Sequence, residues 1–456
     1  MDEWHDRLSE EANIGDLHHR DRLSELPDSL ILEILSLLDT RDVVRTSLLS
    51  KRWENLWSTI PCLDLLKQTP SVISSVVSQW KGPKILKFRL SFPSFILGPS
   101  SSVIDSWLLF AIEKRVEELF LDLNSYKKVD YCLPQTLYTC SSITKLTLED
   151  CKLRIEDNVQ WHQLKTLEIR YPDWLSGDAM NQILLGAPLL EELVLKSFKI
   201  GENENFNIRS TSLKILKIQT GYIWHETTVL RIWAPNLLNF VLEARFHGTC
   251  LLDAPSLTHA ILSLVHDGDV AARFKLLNHV FRSIRNVEKV TLSHCCIEML
   301  LKLKNEDMVM PLLNSKILEL DTIGAEDMLD LVGMMFPKLE RLIVDQGRLQ
   351  TWQAPRFDDS EEVHNAMVDT LAYAKMSFPS PSLLHLKTFE ATWSMRDPSI
   401  IPAIQILLEN ALILEKMVIR LSQGASDPKT FILAQEKVLS IPRSSPNAQV
   451  IIISLI

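Results

Sequence analysis

Along most of the chain, apolar residues recur in a short pattern, L-x-x-L-x-L, rather than at plain helical or plain alternating spacing. It appears as ITKLTL at 143–148, LKTLEI at 164–169, LEELVL at 190–195, LKILKI at 213–218, LLNFVL at 237–242 and LTHAIL at 257–262. The series goes on with VEKVTL at 287–292, SKILEL at 315–320, LERLIV at 339–344, LKTFEA at 386–391 and LEKMVI at 414–419. Two earlier segments, ILKFRL at 85–90 and VEELFL at 116–121, fit more loosely. The central anchors Leu146, Leu167, Leu193, Leu216, Phe240, Ala260, Val290, Leu318 and Leu342 lie 21, 26, 23, 24, 20, 30, 28 and 24 residues apart. A unit repeating at about 20–29 residues cannot bury its apolar face alone and does so by stacking on its neighbours. Pro188, Pro235, Pro255 and Pro337 each fall five residues before an anchor. Proline resists continuing a helix and donates no ladder hydrogen bond, so it marks a passage from helix into strand. Asp178–Gly186, Ala272–Ile284, Ala325–Phe336 and Ile401–Asn410 carry apolar residues at helical spacing. The predicted unit is helix, turn, short strand, and the predicted class α/β: a concave parallel sheet with helices outside.

Side chains alternate across a strand, so the positions between anchors point away from the interior. Lys145, Glu168, Glu192, Lys217, Asn239, His259, Lys289, Glu319 and Arg341 are the candidate substrate-binding residues of that concave face, with Thr147 and Thr291 beside them. Their signs are mixed, so no ligand follows from them. Two repeats complete a longer tail, L-x-x-L-x-L-x-x-C, ending at Cys151 and Cys295. Cysteine there is expected to turn inward and satisfy backbone groups of the turn rather than to hold a metal.

The N-terminal segment 21–65, DRLSELPDSLILEILSLLDTRDVVRTSLLSKRWENLWSTIPCLDL, has another pattern. Pro27 suits the first turn of a helix. Leu30, Ile31, Ile34, Leu35 and Leu38 follow at helical spacing, and Asp42 is a plausible N-cap for a second helical stretch. That stretch carries Val43, Val44, Leu48, Leu49, Trp53, Leu56 and Trp57. About 45 residues cannot bury all of this alone, which suggests a face for another protein. The pattern LPDxLIxEILSLL followed by DVVRTSLLSKRWxxLW resembles the F-box, in particular that of plant-type chains carrying leucine-rich repeats. The resemblance implies docking on a Skp-type adaptor of a cullin-based (SCF) ubiquitin ligase. By motif, Leu26, Pro27, Leu30, Ile31, Ile34, Leu35, Val43, Val44, Leu49 and Trp53 would form the adaptor-binding surface and its supporting core.

The step from Leu342 to Phe389 is 47 residues, so the regular array is interrupted there. Residues 360–376 within the gap fit an amphipathic helix. Beyond it, LLENA at 407–411, LEKMVI at 414–419 and Pro442, Arg443 and Ser445 resemble the FBD domain that ends plant F-box/leucine-rich-repeat proteins. The expected organisation is a disordered polar lead-in at 1–20, an F-box at 21–65, a leucine-rich-repeat solenoid at 66–350, an irregular insertion at 351–380 and an FBD-like domain at 381–456 that continues the repeats.

Composition narrows the function. The chain has 456 residues, 75 of them leucine and only 13 glycine, which disfavours glycine-rich nucleotide loops. A net charge of −10 argues against a sequence-blind grip on nucleic acid. Residues 1–60 hold 13 acidic against 7 basic side chains, so the N-terminus is a separate electrostatic unit. Seven cysteines without a C-x-x-C pair, the absence of an N-x-[ST] sequon and of a long apolar run point to an intracellular protein of the cytoplasm and/or nucleus, with no membrane partner. No catalytic motif such as H-E-x-x-H or G-x-S-x-G occurs; His18–His19 sits in the lead-in, and 266–269 (HDGD) fits a turn. No cofactor, catalytic residue or metal site is expected. The function implied is a non-catalytic substrate receptor of an SCF-type ligase, the alternative being a non-degradative scaffold or regulator using the repeat surface.

Overall fold

The computed structural model describes residues 25–345 and 381–454, apart from 94–97, 125–130, 202–204, 266–269, 305–311, 322–331, 395–399, 423–434 and a few single positions. The lead-in at 1–20 with His18–His19, the turn at 266–269, most of the helix expected at 325–336 and the insertion at 351–380 with its helix at 360–376 lie outside the described residues. The chain forms two compact units, residues 1–150 and 151–456.

The first unit opens with helices α1 (Asp28–Leu35), α2 (Thr40–Thr46) and α3 (Lys51–Leu56). Strands β1 (Cys62–Leu65), β2 (Lys87–Ser91), β3 (Glu118–Asp122) and β4 (Lys145–Glu149) follow, with α4 (Pro70–Gln79), α5 (Ser101–Glu113) and α6 (Gln135–Tyr138) between them. The strands pair in parallel and in chain order, bringing Leu63, Phe88, Leu119 and Leu146 side by side. Strand pairing therefore begins inside the segment assigned to the helical module.

The second unit comprises β5 (Thr166–Arg170), α7 (Gly177–Gly186), β6 (Glu192–Lys196), β7 (Asn205–Arg209), β8 (Ile215–Trp224), β9 (Val229–Trp233), β10 (Asn239–Phe246), β11 (Thr249–Asp253) and β12 (His259–Val265). Next come α8 (Val270–Ile284), β13 (Lys289–Leu292), α9 (His294–Lys304), β14 (Ile317–Leu320) and β15 (Arg341–Asp345). The described chain ends with β16 (Thr388–Ser394), α10 (Ile400–Asn410), β17 (Lys416–Ser422) and β18 (Gln449–Ser454). Its parallel main sheet sets Leu167, Leu193, Leu216, Phe240, Ala260, Val290, Leu318, Leu342, Phe389, Met417 and Val450 in one row. These are the anchors of the repeat pattern. From Leu167 to Met417 all are buried, and burying a leucine or phenylalanine stabilises by about 1.5–3 kcal/mol. The small Ala260 lies beside the large Phe240, so local volume is kept. Repeated strand entries share one geometry: the amides of 191 and 192 both donate to Lys165 O, those of 214 and 215 to Glu191 O, and those of 238 and 239 to Lys214 O. Although 47 residues separate their anchors, β15 and β16 pair directly, so the sheet continues past the long spacing.

One expectation fails in the middle of this unit. Between anchors 193 and 260 the described residues form no helix; β7, β9 and β11 form a second parallel sheet, order β11-β9-β7. These steps instead carry short alternating segments, in which Phe206 and Ile208, Leu230 and Ile232, and Cys250 and Leu252 turn inward at a period of two, the pattern of a strand and not of a helix. Pro235 and Pro255 accordingly follow strands, not helices. Pro188, Pro235, Pro255 and Pro337 each occupy the second position of a turn closed by the residue two further on, as Leu190 N donates to Ala187 O; proline is pre-set for that place. Phe198, Phe206, Trp224 and Phe246 fill the space under the second sheet, with neighbouring ring centres 5.1–6.3 Å apart. Gly186 ends α7 where a Cβ would come within 2.3 Å of Val159 O, so only glycine permits that approach.

The segment after 381 keeps the register. Leu407 and Leu408 of α10 and Ala411 just after it are buried, and the 442–445 motif holds the last turn: Arg443 donates to Ala448 O at 3.0 Å and Ser445 Oγ to Leu414 O at 2.7 Å.

Candidate functional site

The N-terminal helices are held by few polar ties. Pro27 is the N-cap of α1, one place before the first turn. Asp39, not Asp42, caps α2: its Oδ1 accepts from Asp42 N at 2.8 Å, because its extended backbone turns the carboxylate toward the free amides of the first turn. Asp42 instead pairs with Arg45 at 2.9 Å. Arg52 on α3 donates to Asp28 Oδ1 at 2.8 Å and to Leu26 O, closing α3 onto the start of α1. Buried Thr40 accepts from Asp64 N at 2.7 Å and so ties α2 to β1.

The ten residues expected to form the adaptor-binding surface and its supporting core divide into two groups. Ile31, Leu35, Val43 and Trp53 are buried and form the core of the module, with Leu56 and Trp57. Enclosed side chains support a surface and do not touch a partner. Pro27, Leu30, Ile34 and Leu49 are exposed, and Leu26 and Val44 half-buried. Two leucines missing from the expected contact set are the most exposed of all, Leu37 at 86% and Leu48 at 88%. Both follow the end of a helix, where the 3.6-residue stripe no longer says which side is covered. An apolar side chain left bare at a helix end was the available signal.

On the open face of the repeats, the face opposite the buried anchors, the proposed substrate-binding residues are largely tied to each other and to neighbours. In the first unit Lys145 lies beside Glu118, which pairs with Lys87 at 3.3 Å. In the second, Glu168 meets Arg170 at 2.8 Å and Lys196 at 3.1 Å, Lys217 meets Glu192 at 3.0 Å, and Lys289 meets Glu319 at 2.8 Å. His259 Nε2 is 3.1 Å from Thr291 Oγ1, Asn239 lies in register beside His259, and Arg341 pairs with Glu390 at 2.5 Å. Thr147, Thr291 and Glu319 are buried rather than open to a ligand. Arg170, Lys196, Glu390 and Arg420 complete this lattice and were missed; they stand at or next to the same strand positions in other repeats.

The lattice shifts titrations. Burial pushes the Glu168 carboxyl up, but the hydrogen bonds and charges of Arg170 and Lys196 outweigh it and hold it below its ordinary value. Glu390 behaves alike: burial acts upward, while Arg420 and Arg341 prevail and lower it. Burial, then the Lys289 charge, keeps His259 below the usual histidine value, with Glu319 acting against them.

Cys151 is buried as expected. At the second tail it is Cys296, not Cys295, that turns inward: its Sγ accepts from Leu264 N at 3.1 Å. The start of α9 rotates the next residue beneath the strand and leaves Cys295 half-buried. Burial pushes the Cys250 and Cys296 thiols up to about 12, so both stay protonated at neutral pH. Among the described residues no group of three His, Cys, Asp or Glu could hold a metal ion, and no helix is long and apolar enough to cross a membrane.

Known proteins share this arrangement. The family model described as "FBD-associated F-box protein At5g56370, LRR repeats" matches residues 104–342, more than half of the chain, and that of the F-box domain matches residues 23–64. The chain belongs to the F-box/LRR family. The "Putative F-box protein At1g49610" of Arabidopsis thaliana is 31% identical over 312 residues, 66% of this chain and 77% of that protein. The "F-box/FBD/LRR-repeat protein At1g51370" of the same plant is 26% identical over 450 residues, 96% of this chain and 97% of the other. "F-box/LRR-repeat protein 13", also from Arabidopsis thaliana, is 24% identical over 460 residues, covering 95% and 96%. An F-box joined to leucine-rich repeats is the domain make-up of an F-box adaptor protein. In this F-box/LRR chain, α1 to α3 lie within the residues matched by the F-box model, and β5 to β14 within those matched by the repeat model.

Proposed function

We propose that this F-box/LRR chain is a substrate receptor of an SCF-type ubiquitin ligase. The F-box docks on a Skp-type adaptor and through it on a cullin, while the leucine-rich repeats hold the protein to be ubiquitinated. One observation carries the reading. The F-box closes its own core around Ile31, Leu35, Val43 and Trp53, yet leaves Leu37 and Leu48 almost wholly bare, with Leu30, Ile34, Leu38 and Leu49 exposed too. A module that already has a core and still presents six large aliphatic side chains is shaped for a second protein to cover.

The mechanism is tethering. Holding a substrate on the repeats beside a ubiquitin-charged enzyme makes transfer effectively intramolecular, with local concentrations that reach the millimolar range, of order 1 mM. The chain supplies geometry and no catalytic group. Candidate substrate contacts are those open-face polar groups that the lattice leaves accessible, the charged Lys145 and the neutral amide of Asn239 among them. Cytoplasm and/or nucleus are the proposed sites of action, and the seven free thiols suit a reducing compartment.

The test is co-purification and calorimetry of the full chain with a purified Skp-type adaptor. A stoichiometric complex is the expected result. Folded chain that elutes apart from the adaptor and gives no heat of binding overturns the reading.

A further inference from the structure

The helix-bearing face of the second unit holds a groove of about 610 Å³ that the reading above does not use. Its floor is the outer face of the β7-β9-β11 sheet; α7 contributes Asn181 to one side and α8 contributes Arg282 to the other. Along these strands every second side chain turns inward, leaving Arg209, Arg231, Trp233, Leu251 and Asp253 outward. Pairing sets Arg209, Trp233 and Asp253 in one row and Arg231 with Leu251 in the next. Arg209 lies 4.8 Å from the centre of the Trp233 ring. Arg231 donates to Asn205 at 2.7 Å. Trp233 and Leu251 remain 38% and 40% exposed.

Charge distinguishes this groove from the rest of the unit. On the open face Arg170, Lys196, Lys217, Lys289, Arg341 and Arg420 each meet a glutamate. In the groove, Arg209, Arg231 and Arg282 meet no carboxylate among the described residues, and Asp253 is the one acid in the lining. In a chain of net charge −10 this is a local reversal of sign, set beside an indole and a leucine that water only half covers. A nucleic acid would be repelled by the charge of the whole chain. A bare phosphate would leave the apolar floor unused.

We propose that this groove binds an extended acidic peptide segment of a partner protein. Its carboxylates meet the guanidiniums, in pairs where the fork geometry allows, and a large apolar side chain lies against Trp233 and Leu251. Alternate residues of an extended peptide are roughly 6.7 Å apart, which is the separation of the two rows, and the five-residue strands match about five peptide residues. Binding here is independent of adaptor docking by the F-box.

The test is selection of random peptides displayed on their messenger RNAs against the purified full chain, followed by fluorescence anisotropy of enriched peptides. The expected winners interleave Asp or Glu with Trp, Phe or Leu and bind more weakly at high salt. Arg231→Glu/Arg282→Glu should weaken them by at least about tenfold with the melting temperature unchanged, because both side chains are at the surface, and Trp233→Ala should weaken them by about fivefold. Selection that yields no acidic peptides, or acidic peptides that bind the charge-reversed variant as well as the parent, overturns the proposal.

Discussion

Replacing Leu37 and Leu48 together with alanine separates a docking role from a folding role. Each side chain is close to nine-tenths exposed in the free chain, so the fold gains little from it. Fully burying a leucine yields about 1.5–3 kcal/mol, and cutting it to alanine removes roughly two-thirds of that area, about 1–2 kcal/mol per position. If an adaptor covers both, the pair loses about 2–4 kcal/mol, roughly 30- to 800-fold in Kd. Ile31→Ala is the matched opposite: fully buried, it should cost about 2–5 kcal/mol of folding stability. The assay is calorimetric titration with a purified Skp-type adaptor beside a thermal melt of each variant. The surface pair should lose affinity at an unchanged melting temperature, whereas Ile31→Ala should melt earlier. A surface pair that binds like the parent, or that melts as early as Ile31→Ala, refutes the assignment of these leucines to an interface.

Other outcomes test the repeats. Gly186→Ala forces a Cβ to within 2.3 Å of Val159 O and should lower the urea midpoint by about 1–3 kcal/mol equivalent, since the obstacle is backbone. Cys296→Ala removes the acceptor of Leu264 N and a buried atom, costing about 1–2 kcal/mol, while Cys295→Ala should be near neutral; in the native state an aromatic disulfide reagent should leave Cys296 unlabelled. Glu168 and Glu390 have lowered folded pKa values, so their contribution is fully present above the unfolded carboxylate range, about 4.3, and is lost as pH falls through the folded values. His259, also lowered, releases its proton more readily when folded; its share of stability is present above about pH 6.5 and is lost on acidification from there. Melting curves should therefore fall in two stages as pH drops, with His259→Gln flattening the first and Glu390→Gln reducing the second.

Much of the architecture was legible because one residue type does one job at one spacing. The anchors from Leu167 to Met417 were readable as a row since each is the middle apolar position of the same six-residue pattern, and the ladder of the second unit places them side by side. The second sheet was harder. Segments such as NFNIR at 205–209 and VLRIW at 229–233 are only five residues, too short for alternation to stand out. At the F-box, spacing located the apolar stripe but could not say which half faces its own chain. Ile31 and Ile34 look equivalent in sequence, yet the fold encloses the first completely and leaves the second exposed. Ion pairs such as Lys289–Glu319 join residues 30 apart and became visible only once register was known.

The bond from Asp64 to Thr40 and the pairing of β1 with β2 leave no slack between the helices of the F-box and the strands that follow. A protein gripped by those helices is thus carried like a tool on a fixed bracket. Its bearing on β1 to β4 is dictated by hydrogen bonds, with no leash whose wandering would dilute what the bracket holds.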